Sequence, residues 1–183
     1  MKVQRHGWYL GFIMSLAAGF AATVGWGENG ASSQTQEISD MVRVRQANVQ
    51  KLISVIESTA TGKEDVALAM RALGKYRAVE AVPFLVRHLD SMIDREEPTS
   101  WKRYPPNVSI VNPAVAALIE IGLPSIDALL EVLATEDSEQ RVYLANVTTL
   151  RILGQSVRSA YIQERLKSIK DERKAARLRV YIQ

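Results

Sequence analysis

Apolar positions recur three and four residues apart through most of this chain, and the spacing predicts one helix after another. Ile38, Met41, Val42, Val49, Leu52, Ile53 and Ile56 mark a first amphipathic helix over 38–58, ended by Thr59–Gly62. Val66, Leu68, Ala69, Ala72 and Leu73 lead to Gly74. Val79, Val82, Leu85, Val86, Leu89 and Ile93 follow. A run over 112–121 is closed by Gly122, with Ile126, Leu129, Leu130 and Leu133 as its partner. Val142–Leu153 is closed by Gly154, and Val157, Ile162, Leu166 and Ile169 make the next partner. A basic helix over 172–181 ends the series. No segment alternates with a period of two between turn dipeptides, so no sheet is expected.

Three segments can be laid over one another: MRALGKYRAVEAVPFLVRHLD, LIEIGLPSIDALLEVLATED and LRILGQSVRSAYIQERLKSI. Each has an apolar residue and a Gly, a short turn, then a helix with aliphatics three and four apart. Gly74, Gly122 and Gly154 stand where helices should end, positions that favour a positive φ. Their spacings are 48 and then 32 residues, so the first gap holds an insertion. These residues resemble the HEAT-like repeat family, in particular the short bacterial type named from phycobilisome lyases. ALAMRALGKYRAVEAVPFLVRHLD carries the resemblance best, and the match as a whole covers about Lys63–Lys170. It implies an all-α fold: a short α-solenoid of antiparallel helix pairs, capped by the 38–58 helix at one end and the basic tail helix at the other. One helix pair cannot bury its apolar face alone, so such pairs stack.

The N-terminal end is of a different kind. Lys2, Arg5 and His6 precede a stretch from Gly7 to Gly27 without charge. A basic start followed by an apolar core is the pattern of a secretory signal. Gly19 and Ala21 offer small residues for cleavage after Ala21. The alternative is a retained anchor. Trp8–Trp26 would span about 28 Å as a helix, near the hydrocarbon thickness, with a Trp at each interface. Either reading places the remainder outside the inner membrane, in the periplasm or beyond. The expected organisation is 1–27 signal or anchor, 28–36 polar linker, and 37–183 helical repeat domain with an insertion loop at 95–110.

Composition narrows the chemistry. The 183 residues include no Cys and two His, with 47% hydrophobic and 23% charged residues. Disulfide scaffolds, thiol nucleophiles and thiolate metal sites are excluded. His6 lies in the export segment, so His88 has no second His downstream. The His–Glu pairs that make some HEAT-like proteins metal enzymes are therefore not matched. Bilin lyase activity needs cytosolic substrates, which the export segment argues against. Lys2 and Arg5 supply two of the three net positive charges, so the rest is near neutral and bulk charge names no partner. Glu96–Glu97 and Glu136–Asp137 sit at helix ends or in loops, with nothing to fix two carboxylates across a cleft. No catalytic, metal or cofactor residues are expected.

Two features remain. The insertion REEPTSWKRYPPNVSI, over 95–110, stands where a repeat needs only a short turn. It carries Trp101, Lys102, Arg103 and Tyr104 before a stiff Pro105–Pro106. Trp, Tyr and Arg dominate interface energetics, so these four residues are the candidate partner-binding set. The other reading is that Trp101 and Tyr104 pin the loop onto its own helices. The tail from Glu164 onward has seven basic and three acidic residues, read as a solvated cap; nucleic acid would conflict with export. The expected function is an exported, non-enzymatic module that binds another protein. The alternative is a membrane-anchored scaffold subunit.

Overall fold

The computed structural model describes residues 28–90 and 112–182, with side chains from Gln34 onward. Residues 1–27, read above as a signal or anchor, and the 95–110 stretch with Trp101, Lys102, Arg103 and Tyr104 lie outside the described residues. Among the described residues there are helices and no strands. We number the α-helices α1 (Glu28–Glu57), α2 (Lys63–Lys75), α3 (Val82–Arg87), α4 (Pro113–Ile121), α5 (Ile126–Thr135), α6 (Glu139–Leu153), α7 (Gln155–Leu166) and α8 (Glu172–Arg179). None is long and apolar enough to cross a membrane. The 28–36 run expected as a linker is helical in the structure, as the first turns of α1. Its polar residues are indifferent helix formers, but extending an existing helix adds one hydrogen bond per residue fixed.

The chain divides at Arg43 into two units. In the first, Ile38, Met41 and Val42 are exposed along α1, and Asp40 pairs with Arg43 one turn on. The second, from Val44, holds the core. Val49, Ile53 and Ile56 of α1 are buried there, with Met70 and Leu73 of α2 and the apolar faces of α3 to α6. The first helices of successive pairs stack in a row: α2 packs on α4, and α4 on α6. Helix α3 in turn lies against α5. Val82, Leu85 and Leu89 match Ile126, Leu129 and Leu133 in spacing, and all six are buried. Two helix-pair units are thereby alike in structure as in sequence.

Three details of that register differ from expectation. Gly122 and Gly154 do end helices with φ of 79° and 72°. Gly74 does not: it lies inside α2, and the positive φ of that turn falls on Arg77, at 48°. Gly74 is required by close approach instead. A Cβ there would come within 2.7 Å of the Ala117 Cα on α4. Gly74→Ala is therefore expected to destabilise by about 1–3 kcal/mol, as overpacking does. That outweighs the gain of up to about 1 kcal/mol in helix propensity. Chemical denaturation checks the sign.

The third pair also departs. Helix α7 was expected beside α5, but it packs on α6 and α8, and α8 lies along α5. Lys174 pairs with Glu131 and Arg177 with Asp137, so α8 and α5 run in the same direction. Helix α7 has little to offer the core, since its buried residues are Arg158 and Ile162. Helix α8 brings Ala175 and Leu178, both buried, together with cations that match the acids of α5. The basic tail thus packs on α5 through Ala175 and Leu178 and keeps Arg173, Arg177 and Arg179 exposed on its outer side.

The insertion is closed at its base. Asn112 caps α4 by accepting from the Val115 N–H at 3.0 Å, while its Nδ2 donates to the Leu89 carbonyl at 2.6 Å. Pro113 follows at the first helical position, which it suits. Asn112 thereby ties the start of α4 to the Leu89 carbonyl, two residues past the end of α3.

Candidate functional site: the charged face of the fifth helix

Helix α5 has two characters, and its sequence makes both. Ile126, Leu129, Leu130 and Leu133 point into the core, while Asp127, Glu131 and, just past its end, Glu136 and Asp137 form an acidic edge. The spacing of Asp127 and Glu131 puts them one turn apart on the same side. Nearly every acid of this edge has a cation from later in the chain. Arg141 Nε donates to Glu136 at 2.8 Å. Arg177 pairs with Asp137 and donates to the Glu136 carbonyl at 2.7 Å, completing the end of α5. Lys174 pairs with Glu131. Arg165 approaches Asp127 at 4.0 Å, and the Tyr161 hydroxyl donates to the same carboxylate at 3.3 Å.

An open groove of about 460 Å³ runs between α5, the α7–α8 corner and the start of α8. Leu130 and Leu178 give it an apolar side; Asp127, Arg165, Lys170 and Lys174 give it charge. A second hollow of about 420 Å³ adjoins it across Asp127 and Arg165, under Tyr161. Asp171 is not free for a ligand, because its carboxylate caps α8 by accepting from the Arg173 and Lys174 N–H groups.

The electrostatics follow from these partners. Hydrogen bonds from Arg141 and from the Ser138 N–H hold the Glu136 carboxyl below its ordinary range. Arg177 does the same for Asp137, by hydrogen bond and by charge. Burial and the Asp127 carboxylate push the Tyr161 phenol up. A carboxyl depressed by folding stabilises the fold above its unfolded pKa and stops doing so as pH falls through its folded pKa. The grip of α8 on α5 is therefore expected to hold at neutral pH and to loosen below about pH 4. Melting curves between pH 7 and pH 3 check this. Arg177→Ala should melt lower at pH 7 and show a shallower acid slope, because it removes the partner of Asp137.

Chemically the arrangement is one of paired charges over the buried leucines Leu130 and Leu178. Among the described residues no three His, Asp or Glu side chains gather as metal ligands. His88 caps the end of α3. The sequence set Trp101–Tyr104 lies outside the described residues, so the structure brings none of it to this face. Sequence reading missed the α5–α8 surface. The available signal was an acid edge at 127, 131 and 137 and cations at 174 and 177 with matching helical spacing. Comparison of the chain with protein-family models, curated proteins and solved structures finds no match.

Proposed function

We propose that this chain is an exported, non-enzymatic binding module: a short HEAT-like α-solenoid that engages another protein. The observation that carries this reading is the α5 face. It already holds one helix, α8, by ion pairs set around an apolar seam, and beside that helix it leaves an open groove. The stacked rows α2–α4–α6 and α3–α5–α8 support the solenoid reading. The uncharged stretch after Lys2 and Arg5 supports export, and its length keeps the anchored scaffold subunit as the second reading. Trp101, Lys102, Arg103 and Tyr104 supply the recognition loop, on an excursion whose base Asn112 closes.

The test is capture from an envelope extract with the full chain as bait, in parallel with the double variant Trp101→Ala, Tyr104→Ala. One protein recovered in stoichiometric amount, and lost with the variant while melting is unchanged, supports the proposal. Capture of nothing by the wild-type chain overturns it. Intact mass decides between the two forms: loss of about the first 21 residues means a cleaved signal.

A further inference from the structure

We propose that the start of α7 is a binding site for an oxyanion, a phosphate group or a carboxylate, held by backbone N–H groups of its first turn and by the buried guanidinium of Arg158. The site lies apart from the groove beside α8, and the inference goes beyond the binding-module reading without resting on it.

The first observation is a buried cation in an apolar place. Arg158 follows Gly154 by four residues as Ile126 follows Gly122, and both glycines have positive φ. Ile126 is 0% exposed and belongs to the core. Arg158 is 5% exposed, yet its hydrogen-bond partners are neutral. Nη1 donates to the Asn146 amide oxygen and Nη2 to that of Gln155, while Nε is buried without a partner. Amide oxygens accept hydrogen bonds but do not cancel the charge. An aliphatic residue at this place would cost the fold less than a desolvated guanidinium does. Proteins keep costs of this kind mainly at functional sites. The Tyr181 ring, 5.9 Å from the guanidinium, brings no competing negative charge, because burial pushes its phenol up.

The second observation is where that guanidinium points. Long side chains in a helix lean toward its N-terminus. The bond from Arg158 to Gln155, the first residue of α7, has this direction. That end of α7 has no side-chain cap and no acid in its first turn. The Ser156 and Val157 N–H groups have no acceptor within the helix, and the helix dipole favours negative charge beside them. Gly154 leaves room in front, since a Cβ there would meet nothing within 4 Å. A cation and an uncapped helix end thus meet at one open place. Gln155 stands in for the ligand: its amide oxygen accepts from Nη2 where an oxyanion would. The residue is exposed, so it can turn out to solvent as the ligand enters. One oxygen of the ligand then takes Nη2, and the others take the Ser156 and Val157 N–H groups and the Ser156 hydroxyl. Such charge-assisted bonds are about twice as strong as the neutral one they replace.

The experiment is an NMR titration of the full chain with inorganic phosphate and, separately, with acetate, chloride keeping the ionic strength constant. Saturable movement of the Ser156 and Val157 amide signals is expected with at least one probe, and the tighter probe tells phosphate from carboxylate. Arg158→Met removes a desolvated charge and is expected to stay folded. It should weaken the binding at least about tenfold, which is about 1.4 kcal/mol. Ser156→Asp places a carboxylate at the helix start, so it should melt above wild type and bind neither probe. Absence of a saturable shift in wild type with both probes overturns the proposal. Equal binding by Arg158→Met overturns it too, because a bare helix end would then account for the shifts. Shifts that chloride reproduces are a general salt effect and count against it in the same way. If Arg158→Met does not fold, Ser156→Asp decides: binding unchanged in that variant overturns the site.

Discussion

Leu129→Ala is expected to cost about 2–5 kcal/mol of stability, and Leu85→Ala an amount in the same range but smaller. The two leucines are the fourth residues of α5 and α3, at the same place in two similar pairs, and each is 0% exposed. Truncation removes the transfer free energy of the lost methyl groups and leaves a cavity, and the total depends on how far the surroundings collapse. Helix α5 packs on α3, α6 and α8 and is held by ion pairs at Glu131, Glu136 and Asp137, so its neighbours are poorly placed to move in. Helix α3 is six residues long and can shift more. Urea denaturation gives both values. Parent-like midpoints for both variants would show that the matching register of the two pairs is wrong.

The matching of Leu85 to Leu129 was legible in the sequence, for a physical reason. An aliphatic spacing of three and four is dictated by the helix and by burial on one side, so Val82, Leu85 and Leu89 could be matched to Ile126, Leu129 and Leu133 before any coordinates. Turn glycines were half legible. Gly122 and Gly154 have the positive φ that a stop signal implies, whereas Gly74 is there to let α2 touch Ala117. One residue type serves both purposes, and only the partner helix distinguishes them. The fate of the tail was not legible either. Local pattern makes α7 and α8 equally good helices, and the choice of which lies along α5 is settled by long-range matching of Lys174 and Arg177 to Glu131 and Asp137. Charges 40 or so residues apart in sequence leave no periodic trace of their pairing.

Arg141→Met is expected to cost about 1–3 kcal/mol, more than a surface arginine usually does. Its side chain is 18% exposed and ties three separate places together. Nε donates to Glu136 at 2.8 Å, Nη1 to the Arg87 carbonyl at 2.9 Å and to Asp90 at 3.3 Å, and Nη2 to the Val86 carbonyl at 3.1 Å. The two carbonyls belong to the last turn of α3, whose orphan acceptors need donors. Glu136 closes α5, and Asp90 stands three residues past the end of α3. Removing the guanidinium strips partners from all of them at once, and the part-buried Val86 carbonyl and Glu136 carboxylate lose donors that water replaces only in part. Arg141→Lys should recover little, because a point charge cannot face four acceptors in a planar fork. Arg158 is the control. It is 5% exposed and gives its amino groups to the amide oxygens of Asn146 and Gln155, with Tyr181 beneath it and no carboxylate paired with it among the described residues. Burial lowers its pKa, and its Nε has no partner, so its charge is a cost the fold bears. Arg158→Met should therefore melt within a few degrees of wild type or above it. Equal losses for the two variants would mean that Arg141 acts by its hydrocarbon stem, and that its fork of hydrogen bonds does not hold α3, α5 and α6 together.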